Sequence, residues 1–465
     1  MSVKSLIGDR AFYRRVAFIT FPILIQNVIT NFVGLIDNIM VGSVGTEQMS
    51  GVAIVNQLLF VFNICIFGGI SGPGIFTAQY FGKGDHKGVR DTFRTKIVIV
   101  AAITVVGALL FTLFPSQLIS LFLHEGEAGI NIGNVLEYGK SYIAIMVLQL
   151  LPFALMQAYA GTLREIGETI VPMISGITAV LVNVFLNWVL IFGNLGAPVL
   201  GIEGAAVATV FARFVECFIV VLWTHIKSEK NPFIVGAYRS VKIPVRLLRD
   251  IARKGFPLML NEMLWAIGTS MLVQCYSLRG AEVISAHSIS STVSNLFNCA
   301  FFAFGTTISI IIGQLLGAGE LEKAKEEDAK IMALVVAICV VIGSIMALLS
   351  NFFPMLYSET LPEVRALAAR LLLVSAVTMP IHGFAHSTYF TLRSGGNTII
   401  TFIFDSVFVW VISIPVAYIL ATFTGLNIVM LFLTIQCLDI LKCVLGFILV
   451  KKGIWVNNLV DKMNT

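Results

Sequence analysis

Apolar stretches recur along the chain, separated by short segments where charge, Gly, Pro and Asn collect, and each is long enough for the roughly 20 residues that cross a ~30 Å hydrocarbon core as a helix. The pattern predicts crossings at 16–40, 51–78, 95–114, 132–160, 169–192, 201–226, 251–277, 281–312, 329–350, 366–390, 398–422 and 427–450. A soluble fold would have to hide all of them. With 57% hydrophobic residues, 12% charged residues and a mean hydropathy of +0.91, the chain takes lipid as its main solvent.

The first apolar run has no small-residue cleavage site and leads directly into Asp37 and Asn38, so the first helix is expected to stay in the protein. Seven cysteines (Cys65, Cys217, Cys275, Cys299, Cys339, Cys437 and Cys443) lie within apolar runs without a CxxC pair. They read as helix-packing residues rather than metal or redox ligands.

Charge sets the orientation. Placing the 31 Lys and Arg on alternate sides of these helices leaves 25 on one side, four on the other (Lys140, Arg279, Arg365, Arg370) and two within helices (Arg213, Lys442). The positive-inside rule puts the rich side, with both termini, in the cytoplasm. The most basic loop, Lys227 to Lys254, joins the two halves and carries linker punctuation at Asn231-Pro232 and Pro244. Topology accounts for its charge, and no nucleic-acid partner is implied.

The halves repeat. A shift of 235 residues aligns Pro22 with Pro257, Glu47 with Glu282 and Gln79 with Gln314, so that FPILIQN faces FPLMLNE and QYFGKGD faces QLLGAGE. A shift of 229 aligns TLREIGET (162–169) with TLRSGGNT (391–398). Because six crossings separate the copies, both halves enter the membrane the same way round, a parallel repeat of the kind whose lobes rock to give alternating access. The expected fold is an all-α polytopic membrane protein: twelve transmembrane helices in two pseudo-symmetric six-helix lobes with a central cleft. The N-terminal lobe covers 1–226, a cytoplasmic basic linker 227–250, and the C-terminal lobe 251–465.

Ionisable groups at membrane depth are costly and face a cavity or a partner. Five acids lie there: Asp37, Glu216, Glu262, Asp405 and Asp439. Arg213 with Glu216, and Asp439 with Lys442, stand three apart and read as structural pairs. Asp37 has no basic neighbour in sequence. Depth along the helices puts it level with Asn183, Asn187 and Thr209, an all-oxygen set suited to a hard cation, or a proton site centred on Asp37. Helix bridging by Asn and Thr is the competing reading. In the second lobe Glu262, Asp405 and His386, with His382 one turn away, are candidates for a substrate cleft or proton relay, as is Gln26 in the first. Glu262 and Asp405 are expected to be unpaired.

The chain resembles the multidrug and toxic compound extrusion (MATE) family over nearly its whole length. The resemblance rests on Pro22 to Gln26 in the first helix, on LIDNIMVGSVG, on the two Q-x-x-G-x-G turns and the two TLR-x-x-G-x-T turns, and on N-x-x-x-N followed by GAP and GAAVAT. It implies a bacterial inner-membrane antiporter that exports cationic amphipathic compounds against sodium ions or protons, with no cofactor. It also implies a cation site at Asp37, Asn183, Asn187 and Thr209. Asparagine at 187, where the branch typified by DinF has aspartate, makes this site similar to the NorM-like branch. Trp265 stands where that branch has a helix-7 glutamate, and MPIHGFAHSTYF has no match to its helix-10 aspartate, so no second-lobe ion site carries over residue by residue.

The expected function is ion-driven export through rocking lobes, by a protein acting as a monomer. The rival is a lipid-linked oligosaccharide flippase of the same superfamily, which would need a strongly cationic cleft. An enzyme is not indicated, for the chain offers no GxSxG nucleophile, HExxH pair or cofactor-binding glycine loop. A passive channel would only dissipate gradients.

Overall fold

The computed structural model describes residues 6–122, 131–240, 242–357 and 360–461. Twelve helices among them are long and apolar enough to cross a membrane. They are α1 (Arg10–Gly42), α2 (Thr46–Lys83), α3 (His86–Leu113), α4 (Ile132–Glu165), α5 (Ile170–Phe192), α6 (Gly201–Ile226), α7 (Val245–Ser277), α8 (Ala281–Gly317), α9 (Leu321–Leu348), α10 (Pro362–Ser394), α11 (Thr398–Phe423) and α12 (Ile428–Lys451). Every predicted crossing has its helix. Most helices run several residues past the apolar stretch, because a helix continues until a cap stops it rather than where hydrophobicity ends.

The caps are local. The Asn131 side chain accepts from the Gly133 and Asn134 amides to open α4, Pro362 opens α10, and Gly193, at φ 73°, closes α5 in the left-handed conformation that L side chains rarely adopt. Prolines 22, 73, 257 and 380 sit inside helices. Each removes a backbone donor, which a membrane helix tolerates when neighbours meet the freed carbonyl.

By contact the chain forms two units. The N-terminal unit holds 25–77 and 86–249, and the C-terminal unit holds 1–24, 78–85 and 250–465. This differs from a cut at the linker: the first turns of α1 and the last of α2 cluster with the second half. In the N-terminal unit α5 and α6 pack extensively on each other, while α3 lies on α4. In the C-terminal unit α10 is central, touching α8, α9 and α12. A core in this unit joins Phe12, Val16 and Ile19 of α1 to Phe304, Ile308 and Ile311 of α8, Val335 of α9 and Trp455. Cys339 packs in this core and Cys275 in a second one, and Cys299 is buried.

Exposed positions are also apolar, among them Phe18, Val105, Leu181, Phe218, Val341 and Val411. Water would penalise such a surface, whereas lipid accepts it.

Part of the expected linker is anchored. Arg90 donates to the Pro232 and Phe233 carbonyls at 3.3 Å, and Arg94 donates to those of Gly236 and Ala237 at 2.8 and 2.7 Å. Phe233 is buried against Phe93, so residues 232–237 belong to the N-terminal unit.

The Q-x-x-G turns explain themselves in the C-terminal unit. A Cβ on Gly82 would lie 1.9 Å from the Gln314 carbonyl, and one on Gly317 would lie 1.9 Å from that of Gln79. The ends of α2 and α8 therefore cross backbone to backbone, each glycine beneath the other copy's glutamine. The buried Gln79 side chain ties in the C-terminal segment: it donates to the Ser394 and Asn457 carbonyls at 3.0 and 3.2 Å and accepts from the Leu459 amide at 2.8 Å.

Candidate ion and substrate sites

In the N-terminal unit α1, α5 and α6 bring Asp37, Asn183, Asn187 and Thr209 together. Asn187 donates to Asp37 Oδ1 at 2.7 Å. With its nitrogen toward the carboxylate, the Asn183 amide lies 2.9 Å from both Asp37 oxygens and its own oxygen lies 3.2 Å from Thr209 Oγ1. That orientation gives each polar atom of the amide a complementary neighbour. The four-residue spacing of Asn183 and Asn187 puts both amides on one face of α5, and both are buried. Asn187 Oδ1 is buried with no hydrogen-bond donor among the described residues. An unsatisfied carbonyl beside a carboxylate is the oxygen chemistry a hard cation takes. The nearby cation is engaged elsewhere, since Arg213 donates to Glu216 at 2.7 Å as its spacing predicted.

Gln26 is not at this site. It accepts from Arg164 at 3.0 Å, joining α1 to the end of α4, and packs on Gly176.

The C-terminal unit corrects the expectation of unpaired acids. Glu262 Oε1 lies 3.9 Å from Arg393 Nη1 and accepts from the Tyr389 hydroxyl at 3.4 Å. Asp405 lies 3.3 Å from Lys442 and accepts from Asn261 at 3.1 Å. Lys442 is also 3.6 Å from Asp439, the predicted pair, and Asp439 in turn faces His382 Nδ1 at 2.9 Å. One network thus holds three acids against two permanent cations and a histidine. His386 stands apart in an aromatic surround of Phe301, Phe302, Tyr389 and Phe390, with Nε2 buried and without a hydrogen-bond partner among the described residues.

Sequence reading missed Asn261, Tyr389, Arg393 and Ser406. Asn261 is the hub: Ser406 Oγ lies 2.9 Å from its carbonyl and 2.7 Å from its side-chain oxygen, the Ser406 amide donates to that side-chain oxygen at 3.3 Å, and the π-helical turn at Ile403–Val407 sets Asp405 and Ser406 on the same partner. The signal was in the repeat, because the shift of 235 carries Gln26 onto Asn261 and the shift of 229 carries Arg164 onto Arg393. The first-helix residue that meets the TLR arginine is Gln26 in one copy and, next to Asn261, Glu262 in the other.

Comparison with known proteins is concordant. The family described as MatE matches residues 22–189 and 257–419. A probable multidrug resistance protein NorM of Thermotoga maritima is 25% identical over 422 residues, covering 88% of this chain and 86% of its own. Multidrug resistance protein NorM of Vibrio cholerae is 27% identical, with 86% and 85% covered. Among solved structures, an outward-facing multidrug resistance MATE family transporter superposes with a TM-score of 0.86 at 17% identity, covering 97% of each chain. At that identity the likeness concerns the fold.

Proposed function

Because the chain belongs to the MatE family, we propose that it exports cationic, amphipathic small molecules from a bacterial cell in exchange for sodium ions or protons bound at Asp37, Asn183, Asn187 and Thr209. The family is one of transporters, and with multidrug resistance proteins as its relatives the chain is a multidrug efflux transporter, not an enzyme. The observation that carries the ion site is the Asp37 cluster: one carboxylate held, among the described residues, by the Asn183 and Asn187 amides, beside the orphaned Asn187 carbonyl.

An amide serves two states. It turns N–H toward a bare carboxylate, or after a half-turn offers its carbonyl to a cation. An ion moves a conformational equilibrium only through unequal affinity for the two forms, and rearrangement of Asn183 and Asn187 supplies such a difference. Alternating access of a rocker type then couples ion entry to drug exit. Glu262, Asp405 and His386, with Gln26, are offered as substrate or relay groups. Both termini face the cytoplasm of the inner membrane, and the monomer is the working unit.

The flippase reading requires cations available to a phosphate-bearing substrate, whereas Arg393 faces Glu262 and Lys442 faces Asp405 and Asp439. The test is efflux of a fluorescent organic cation from proteoliposomes under an imposed sodium gradient and, separately, a proton gradient. One gradient should drive efflux; indifference to both would overturn the proposal in favour of the flippase.

A further inference from the structure

Thr162 and Thr391 are the same residue of the repeated TLR segment, 229 positions apart. Both are fully buried, and each hydroxyl lies near the carbonyl one turn back, Thr162 2.9 Å from Ala158 and Thr391 3.1 Å from Ser387. A hydroxyl has one hydrogen to give and two lone pairs to receive with.

In the N-terminal unit the single hydroxyl hydrogen has one taker. Thr162 donates to Ala158 and accepts from the Lys96 ammonium at 3.0 Å, and Lys96 is ion-paired with Glu165. In the C-terminal unit an acid stands in the lysine's place. The shift of 235 carries Lys96 to position 331, and Asp328 sits one turn before it on α9, with Oδ1 2.6 Å from Thr391 Oγ1. An ionised Asp328 has no hydrogen to offer. It and the Ser387 carbonyl would then compete for the single hydrogen of Thr391. A protonated Asp328 removes the conflict, donating to Thr391 as Lys96 donates to Thr162, while Thr391 donates to Ser387.

The surroundings supply no charge to hold an anion. Asp328 is 1% exposed, and among the described residues it forms no ion pair. On its own helix Lys325 faces Glu322 at 2.6 Å, Lys330 faces Glu326 at 2.6 Å, and Glu327 faces Arg15 of α1 at 3.3 Å. On α10 Arg393 faces Glu262 and lies over the Phe390 ring. From Ser288 to its end at Gly317, α8 carries no charged side chain. An unpaired carboxylate in such a place is far costlier than the neutral acid.

We propose that Asp328 is a proton-binding site of the C-terminal unit, holding a proton that it donates to Thr391. This site is independent of the ion at Asp37. Motion that parts α9 from α10 separates the acid from its acceptor. The O–H bond then breaks with its electron pair left on the carboxylate and the proton passing to water, so occupancy follows conformation.

The full-length protein in lipid nanodiscs, examined near neutral pH by infrared difference spectroscopy, tests this. Wild type minus Asp328→Asn should show a protonated-carboxyl C=O stretch that moves in D2O, and Thr391→Val should shift that band because the acid has lost its acceptor. Asp328→Asn keeps an N–H donor for Thr391 and should melt at the wild-type temperature. A difference spectrum with carboxylate bands only, a band unmoved by Thr391→Val, or an Asp328→Asn protein that does not fold would each overturn the proposal.

Discussion

Asn187 gives a hydrogen to Asp37 and keeps a buried carbonyl oxygen without a donor, so it has a part both with and without a cation in the site. Asn187→Ala removes a ligand oxygen and a carboxylate donor together. Calorimetric titration of the purified protein with the coupling ion should show weaker binding by about tenfold or more, the worth of a hydrogen bond to a charged group; unchanged affinity would place the ion elsewhere. Lys442 poses a stability question instead, for it faces both Asp405 and Asp439 with its side chain 8% exposed. Lys442→Met strands two acids, and thermal or chemical unfolding should register a loss of about 3–5 kcal/mol. Adding Asp405→Asn and Asp439→Asn should recover much of it, because the cost lies in the uncompensated charge. Depth and spacing put the Asp37 set at one level, and the resemblance to the family singled it out as a cation site. The counter-charges of Glu262 and Asp405 were not legible, since Lys442 reads in sequence as the partner of Asp439 three residues away and Arg393 reads as a loop residue.

That second misreading belongs to the elements. Apolar content ends the tenth crossing near residue 390, but α10 continues to Ser394 and so carries Arg393, one turn past Tyr389, up to Glu262. The linker was opaque for a similar reason: Arg90 and Arg94, about 140 residues earlier, bind its carbonyls, and no local pattern announces a long-range side-chain-to-backbone contact. Helix number and type were fully legible, because about 20 apolar residues leave the backbone no other way to satisfy its hydrogen bonds in lipid. The repeated Q-x-x-G glycines were visible as a motif, but their reason required the crossing of α2 and α8. Gly317→Val and Gly82→Val each put atoms into a carbonyl 1.9 Å from the first added carbon, so each should destabilise the protein by at least about 1–3 kcal/mol in a melting assay. Tolerance of both would mean that the crossing is not held.

At the scale of the whole molecule the duplication built two units from one plan and then diverged their polar groups. The N-terminal unit keeps a carboxylate among amides, whereas the C-terminal unit sets Glu262 and Asp405 against Arg393 and Lys442. A compact carboxylate without an ion pair among the described residues suits an exchangeable ion; a balanced network suits a partner that must displace one charge to bind another. The orientation inferred from basic loops makes its own prediction: a single cysteine introduced at Lys140 should react with an impermeant thiol reagent from outside intact cells, and one at Lys230 only after lysis, the reverse result inverting the topology. The central claim is that Asp37 couples the ion to export. Its most direct test is efflux of an organic cation from proteoliposomes under the driving gradient, wild type against Asp37→Asn, with folding checked by melting. The variant should remain folded and export no faster than without a gradient, whereas gradient-driven efflux at the wild-type rate would contradict the account.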